Sequence, residues 1–270
     1  MDAFVSHEVF QPGLGGALLT LLLLVVADLC RRLWKQTRLG KPELVQFALD
    51  EALESERVGL PTSRGLRLVC LSDTHGAHRN LKLPDGDVLI HAGDFTQYGR
   101  EEHAKDFNSW LAEQPHKTKL VVLGNHETNA DWNKRVEQLL SSATVLRQSA
   151  YELKVSGHEE PVRFFGTDFF WPCAGHNPYF DQIPATTDVL IAHGPAKGCA
   201  DGEKGCSALF QAVRTIQPKL VISGHIHFAR GAALLRHAVD GASTILVNAA
   251  NCGSGKKERT LVHRPVVIDF

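Results

Sequence analysis

The stretch Leu68-Val69-Cys70-Leu71-Ser72-Asp73-Thr74-His75 carries a pattern that returns along the chain: an apolar run stops at polar residues able to bind a metal ion. Runs that are apolar at consecutive positions are typical of strands covered on both faces, as in layered α/β folds. The other four runs, each with the residues that follow it, are Val88-Leu89-Ile90 before Gly93-Asp94, Leu120-Val121-Val122-Leu123 before Gly124-Asn125-His126-Glu127, Val189-Leu190-Ile191 before His193-Gly194, and Leu220-Val221-Ile222 before Gly224-His225-Ile226-His227.

Amphipathic helices are predicted between several of these runs. Ala104, Phe107 and Leu111, for example, recur at helical spacing and share one face. Alternation of strand and helix predicts a layered α/β domain. Later apolar segments predict a second sheet with little helix between its strands: 161–170, 243–250 and 265–269. We therefore expect an α/β fold in which two facing mixed sheets are flanked by helices.

The polar residues after the runs form one candidate site. Side chains at the carboxyl ends of strands meet in one crevice of an open α/β sheet. Carboxylate, amide and imidazole ligands suit divalent Mn, Fe or Zn rather than a thiolate site. The set contains more ligands than one tetrahedrally coordinated ion can bind, whereas two ions that share a carboxylate would use all of them. The candidates are Asp73, His75, Asp94, Asn125, His193, His225 and His227, with His126 additional.

In these motifs the chain resembles the calcineurin-like metallophosphoesterase family over residues 66–270. The ordered set is a strong signal, although any single block is weak. The five blocks are D-x-H at 73–75, G-D at 93–94, G-N-H-E at 124–127, H-G at 193–194 and G-H-x-H at 224–227. Three more are similar to a small metallophosphoesterase-domain-containing subgroup, some of whose members hydrolyse cyclic nucleotides: A-G-D-F-T at 92–96, H-G-P at 193–195 and N-A-A-x-C at 248–252.

The resemblance implies a four-layer αββα sandwich, two divalent cations (Mn, Fe, Zn or Mg, with Mn favoured) and hydrolysis by a metal-bridging hydroxide. One ion would be held by Asp73, His75 and His227, the other by Asn125, His193 and His225, and both by a bridging Asp94. His126 is the implied general acid for the leaving oxygen. The sequence does not identify the carboxylate that orients His126. Glu127 is adjacent in the chain, but adjacent residues on a strand point in opposite directions.

The expected enzyme is a metal-dependent phosphoric ester hydrolase that acts on a small phosphodiester, with cyclic nucleotides first, or on a phosphomonoester. Protein Ser/Thr phosphatases carry an arginine in G-D-x-x-D-R-G, which segment 93–99 lacks. Tyr98 is one position too far from Asp94 for the iron-binding tyrosine of purple acid phosphatases, so we expect it to pack in the domain. The aromatic residues of segment 171–180 either stack on a base or pack: Trp171, Tyr179 and Phe180.

Charge and cysteine content bear on the alternatives. With 29 Lys and Arg against 30 Asp and Glu, nothing indicates specific nucleic-acid binding, and a nuclease would need a basic stripe beyond residues 31–41. The six cysteines show no C-x-x-C spacing, which favours free thiols. The main rival is a catalytically weak metal-binding scaffold at a membrane, but the complete ligand set argues against it.

The amino-terminal region predicts a separate membrane anchor. The apolar run Gly13 to Cys30, at ~1.5 Å per residue, is roughly long enough for a hydrocarbon core of ~30 Å. Basic residues follow it, which places the catalytic domain in the cytoplasm. The alternative is a cleaved signal peptide, which would give a secreted or lumenal protein. A signal peptide carries its positive charge before the apolar run, whereas here the basic residues follow it. The expected segments are a tail (1–12), the anchor helix (13–30), a basic juxtamembrane segment with a helix at 42–58 and a linker (31–65), and the metallophosphoesterase domain (66–270).

Overall fold

Thirteen β-strands form the centre of the fold in the computed structural model, which describes residues 43–47, 56–59, 65–171, 173, 175–237, 241–255 and 260–270. In chain order the strands are β1 (Glu43–Phe47), β2 (Glu56–Gly59), β3 (Arg67–Leu71), β4 (Val88–His91), β5 (Thr118–Val121), β6 (Thr144–Val145), β7 (Ser149–Leu153), β8 (Val162–Gly166), β9 (Val189–Ile191), β10 (Leu220–Ser223), β11 (Gly231–Arg236), β12 (Ser243–Asn248) and β13 (Val266–Asp269).

These strands form two mixed sheets. The first has the order β1-β11-β12-β10-β9-β8-β7, and the second has the order β2-β13-β3-β4-β5-β6. The central strands of each sheet are parallel, as in β9-β10-β12 and β3-β4-β5. Parallel neighbours end at the same edge, so the loops that follow β3, β4 and β5 are close together, as are those after β9 and β10.

Four α-helices accompany the sheets in the described residues: α1 (Glu101–Glu113), α2 (Asn125–Thr128), α3 (Val136–Leu139) and α4 (Ser207–Ile216). Short 3-10 helices lie at His78–Asn80, Asn133–Arg135, Phe180–Gln182 and His227–Ala229. At the start of α4 the Sγ atom of Cys206 accepts the N–H of Leu209 at 3.4 Å. The helix ends at Gln217, whose φ of 55° turns the chain before Pro218.

Alternation along each strand explains the layers. In β3, Leu68 and Cys70 pack between the two sheets, while Val69 packs against α1 on the other face. In β10, Ile222 faces the other sheet and Val221 faces α4. β3 and β10 are therefore buried on both faces, which is why their apolar residues are consecutive. The predicted four-layer arrangement of helices, two facing mixed sheets and helices is confirmed.

The helix predicted at 42–58 is wrong at both described parts of that range, because 43–47 and 56–59 are strands. β1 pairs antiparallel with β11, and β2 pairs parallel with β13. Leu44, Val45 and Leu49 fit helical spacing in the sequence, but pairing with strands about two hundred residues away decides the backbone at 43–47 and 56–59. Both sheets thus include strands that precede residue 66.

The predicted anchor helix at 13–30 lies outside the described residues. Among the helices that the structure does describe, none combines the length and the apolar character that crossing a membrane requires.

Candidate metal centre

The loops after five strands bring the predicted site residues together. The N–H of Asp73 donates to the carbonyl of Gly93 at 3.0 Å, and the N–H of His75 donates to that of Asp94 at 3.0 Å. These bonds join the loop after β3 to the loop after β4. Across the two sheets, Nε2 of His227 lies 3.1 Å from Oδ1 of Asp73, so both sheets contribute to one cluster.

Three groups of side chains in this cluster could hold a metal ion, since their ligand atoms lie within 4.8 Å of one another. The groups are Asp73 with His75 and His227, His75 with Asp94 and His126, and Asp94 with His193 and His225. Oδ1 of Asn125 joins the last group, 3.2 Å from Nε2 of His193. The structure therefore brings all seven predicted ligands and His126 to one place.

Four of these residues have a left-handed backbone conformation: Asp73 (φ 55°), His75 (φ 45°), Asp94 (φ 55°) and His225 (φ 67°). Residues with a Cβ rarely adopt this region, and such strain concentrates at functional sites. Here the conformation turns the chain sharply after a strand. The side chains are thereby directed into one cluster instead of alternating across the sheet.

Two glycines allow the loops to approach this closely. A Cβ on Gly124 would overlap the Asp94 carboxylate, and a Cβ on Gly224 would overlap Ser72 and the Asp73 carboxylate. The G-N-H-E and G-H-x-H motifs therefore begin with glycine because any larger residue would occupy the space of one of the two carboxylates.

Backbone carbonyls fix the orientation of two imidazoles. Nδ1 of His193 donates to the carbonyl of Ala92, and Nδ1 of His227 donates to that of Gly253, both at 2.7 Å. When either ring is neutral, this bond leaves the lone pair at Nε2, the atom that faces the cluster. Nε2 of His227 also lies 3.3 Å from Nε2 of His75, so two ring nitrogens face each other beside the Asp73 carboxylate. This donor set fits divalent cations of intermediate hardness.

The electrostatics of the cluster agree with a cation site. Burial alone raises the pKa of the Asp73 carboxyl, but the His193, His227 and His75 imidazoles outweigh it and hold that pKa below its ordinary value. The pKa of Asp94 is also lowered, because His193 outweighs burial. Burial opposes protonation of His193, but Asp94 and Asp73 raise its pKa to about 9. The carboxylates are thus ionised and attract positive charge.

Glu127 has a role that the sequence did not predict. Its buried carboxylate accepts the N–H groups of Asp94 (2.8 Å), Gly124 (2.9 Å) and Thr96 (2.8 Å), as well as the Thr96 hydroxyl (2.6 Å). Burial and the Asp94 charge raise the pKa of Glu127 to about 7, while these donors oppose the rise. Glu127 therefore fixes the loop that carries Asp94 and does not contact the His126 ring by any of these bonds.

His126 is oriented by backbone rather than by a carboxylate at Nδ1. The N–H of Tyr98 donates to Nδ1 at 2.7 Å, while Nε2 lies 3.8 Å from Oδ2 of Asp94. The Tyr98 ring stacks on the His126 ring with centroids 5.4 Å apart. The expectation that Tyr98 packs inside the domain is wrong, since 62% of the residue is exposed. Its left-handed backbone (φ 57°) directs the ring outward along His126.

Aromatic rings line the other side of the cluster. Phe169, which the sequence analysis did not single out, lies 5.2 Å from the His193 ring and 5.1 Å from the His225 ring. The Trp171 ring is 4.9 Å from that of His225. Of the other residues predicted either to stack on a base or to pack, Phe180 is buried, and the Tyr179 ring stacks on the Phe170 ring with centroids 4.5 Å apart. No local signal distinguishes Phe169 from its neighbours, because its position follows from the turn after β8.

The cysteines of the described residues are free thiols, as predicted: Cys70, Cys173, Cys199, Cys206 and Cys252. Burial raises the pKa of Cys70 above its ordinary value and that of Cys199 to about 12. These two thiols are protonated and unreactive.

Comparison with known proteins assigns the family. A family model described as calcineurin-like phosphoesterase matches residues 66–229. The chain belongs to this family. Calcineurin-like phosphoesterases depend on a dinuclear metal centre, and the Asp and His groups above could bind the metals. The protein is accordingly a metal-dependent phosphoester hydrolase, and the predicted resemblance is confirmed.

The chain is also similar to several curated proteins, one of which is named for a metallophosphoesterase domain. UPF0046 protein K07C11.7 of Caenorhabditis elegans is 34% identical over 75% of this chain and 74% of its own length. Metallophosphoesterase domain-containing protein 1 of Homo sapiens is 33% identical over 76% of this chain and 71% of its own. A protein named probable rhamnogalacturonate lyase C, of Emericella nidulans, is 36% identical over 63% of this chain, which spans only 18% of that protein.

Proposed function

We propose that the protein hydrolyses small phosphodiesters, with cyclic nucleotides as the first candidates, at a centre that binds two divalent cations. The observation that carries this proposal is the convergence of Asp and His ligand atoms within 4.8 Å of one another in three adjoining groups. Two groups share His75 and two share Asp94. Sharing of a carboxylate is typical of dinuclear centres that act on phosphate esters.

In this proposal Asp73, His75 and His227 would hold one cation, Asn125, His193 and His225 would hold the other, and Asp94 would contribute to both sites. When bound, such cations make a water molecule acidic enough to attack phosphorus and offset the charge that develops on the phosphoryl oxygens. Manganese is the favoured metal, because carboxylate, amide and imidazole ligands together suit it.

His126 holds the proton for the leaving oxygen. Its Nδ1 accepts the Tyr98 N–H, so the neutral ring carries its proton at Nε2, 3.8 Å from Oδ2 of Asp94. The Nε2–H hydrogen-bonds to the leaving oxygen as negative charge develops there. The proton that this oxygen takes up is balanced by the proton that the attacking water releases, so the His126 ring ends neutral and no free alkoxide leaves. Phe169 and Trp171 cover the edges of His193 and His225. They limit water around that part of the centre and strengthen its electrostatics.

A diester is preferred over a phosphoprotein because segment 93–99 lacks the arginine with which protein Ser/Thr phosphatases bind the phosphoryl group. A monoester carries one more negative charge than a diester at neutral pH. Such a substrate gains more from an arginine that pairs with its oxygens.

Metal content and hydrolysis of the full-length protein test this function. Asn125→Ala and His225→Ala should each remove most of the Mn²⁺-dependent hydrolysis of bis(p-nitrophenyl) phosphate and lower the bound metal, without unfolding the domain. His176→Ala is a matched control, since His176 is exposed and pairs with Asp181. Wild-type turnover in either ligand variant contradicts the assignment, and bound metal without any turnover favours the scaffold instead.

We also propose that residues 13–30 anchor the protein in a membrane with the catalytic domain in the cytoplasm. The apolar run and the basic residues that follow it support this proposal. Release of the full-length protein from membranes by alkaline carbonate would contradict it. Protection of the catalytic domain from added protease in intact cells would support it, and cleavage would place the domain outside.

A further inference from the structure

An exposed tyrosine lies beside the histidine that holds the leaving-group proton. Among the described residues, four large apolar side chains are exposed: Tyr98, Tyr179, Phe228 and Val262. The most exposed is Tyr98, at 62%. Its ring is nearly parallel to that of His126, with an interplanar angle of 14°. A large aromatic surface is thus presented to solvent at the edge of the metal centre.

The backbone at this position is unfavourable for tyrosine. Tyr98 has φ 57°, and Gly99, which follows it, has φ 65°. The chain is held there because the Gly99 carbonyl accepts the Trp132 Nε1–H at 2.7 Å and the Tyr98 N–H is bonded to His126. Asn and Gly adopt this conformation far more readily than a bulky residue does. Backbone preference therefore does not explain a tyrosine here.

We propose that Tyr98 stacks on a planar group carried by the leaving alcohol of the substrate, which makes the substrate a nucleoside or aryl phosphate ester. The proposal rests on the proposed function, in which Nε2 of His126 protonates the leaving oxygen. The leaving group must then lie next to the His126 ring, on which the exposed Tyr98 ring stacks. Nucleobases stack on aromatic side chains with little regard to sequence, because every base has a π-face.

The other exposed ring near the centre is a weaker candidate. Phe228 follows His227 directly and is 59% exposed. Nζ of Lys204 lies 5.0 Å from its ring centroid, so a cation already covers it. The Phe228 ring also fills the space left by Gly202, where a Cβ would overlap it. Packing against Gly202 and the Lys204 cation therefore account for Phe228.

The test compares two esters that differ only in the base. These are adenosine 2′,3′-cyclic phosphate and its methyl riboside counterpart, in which a methoxy group replaces adenine. In the Mn²⁺-loaded full-length protein, Tyr98→Asn should lower kcat/KM for the adenosine ester by about 5- to 150-fold and leave the methyl riboside ester nearly unchanged. Tyr98→Phe should retain the preference. Because Asn suits the backbone, the Tm of Tyr98→Asn should equal or exceed that of the wild type.

A matched control is Tyr179→Asn, which removes an exposed tyrosine stacked on Phe170 and should leave the base preference unchanged. Equal loss on both esters in Tyr98→Asn overturns the proposal, because Tyr98 would then act only through His126. Absence of wild-type turnover overturns the proposed function separately. In that case, calorimetry tests Tyr98. The Tyr98→Asn substitution should weaken binding of adenosine 5′-monophosphate more than binding of ribose 5-phosphate. An unchanged ratio of the two affinities overturns the proposal.

Discussion

Nδ1 of His126 accepts the backbone N–H of Tyr98 at 2.7 Å, which places the proton of the neutral ring at Nε2. That atom faces the metal centre, 3.8 Å from Oδ2 of Asp94. In many enzymes a carboxylate orients the catalytic histidine, whereas here the backbone of a neighbouring loop does so. The tautomer is therefore set by the fold and not by another titratable group.

His126→Asn should remove the acid but keep an oxygen that can accept the Tyr98 N–H. We expect hydrolysis of a 3′,5′-cyclic nucleotide to fall by about 10²- to 10⁴-fold, because an alkoxide needs the proton. The loss should be smaller with bis(p-nitrophenyl) phosphate, since p-nitrophenolate leaves without protonation. The measurement is kcat for both substrates at saturating Mn²⁺.

The control for this variant is His103→Asn. Nδ1 of His103 accepts the Gln97 N–H at 3.1 Å, so this histidine has the same kind of backbone bond one residue away. We expect nearly wild-type turnover. Equal losses on the two substrates in His126→Asn would show that His126 supports the loop and is not the acid.

Glu127→Gln should weaken metal binding although Glu127 is not among the predicted ligands. The carboxylate accepts four donors on Asp94, Thr96 and Gly124, and an amide replaces one acceptor oxygen by a donor. At least one buried N–H then lacks a partner, which costs about 1–3 kcal/mol. Displacement of the Asp94 loop should lower Mn²⁺ affinity by about 10- to 100-fold, as measured by chelator competition.

Glu113→Gln is the matched control, because Glu113 is an exposed residue paired with Arg79. It should leave Mn²⁺ affinity unchanged. If Glu127→Gln binds Mn²⁺ as tightly as the wild type, the carboxylate does not position Asp94.

The metal-ligand positions were predictable, whereas the residues that support them were not. Asp73 lies two residues after the last residue of an apolar run, so strand direction alone brings it to the crevice. Glu127 acts through hydrogen bonds to loop residues about thirty positions away, which no local pattern contains. Strand β1 was missed for the same reason, since its conformation depends on pairing with β11.

Gly124→Ala should abolish the metal centre through size alone. The φ of Gly124 is −97°, which any residue can adopt, but the new Cβ would overlap the Asp94 carboxylate and lie 2.5 Å from its backbone nitrogen. We expect loss of metal and of turnover, measured by metal analysis and bis(p-nitrophenyl) phosphate hydrolysis.

Gly157→Ala separates this effect from general destabilisation. Gly157 has φ 83° and open space where a Cβ would be placed. Backbone strain should cost roughly 1–2 kcal/mol of unfolding free energy while leaving metal content intact. Full metal occupancy in Gly124→Ala would mean that the Asp94 loop can move away without losing the site.

His78 should make stability depend on pH. Its side chain is buried under Phe107 and Trp110, with Nε2 bonded to Asp106 at 3.0 Å. Burial lowers the pKa of His78 to about 4, despite the Asp106 charge. In the unfolded chain a histidine takes up its proton near pH ~6.5. The contribution of neutral His78 is thus complete above about pH 6.5 and is lost as the pH falls toward 4.

His78→Gln keeps a donor for Asp106 but cannot titrate. Between about pH 7.5 and about pH 5, the wild type should lose about 2 kcal/mol more unfolding free energy than this variant. Urea unfolding in the presence of a chelator measures the difference and removes metal binding from the comparison. The exposed His176, paired with Asp181, provides the control: His176→Gln should retain the pH dependence of the wild type. Parallel pH profiles for His78→Gln and the wild type would mean that His78 accepts a proton in the folded protein as readily as in the unfolded chain.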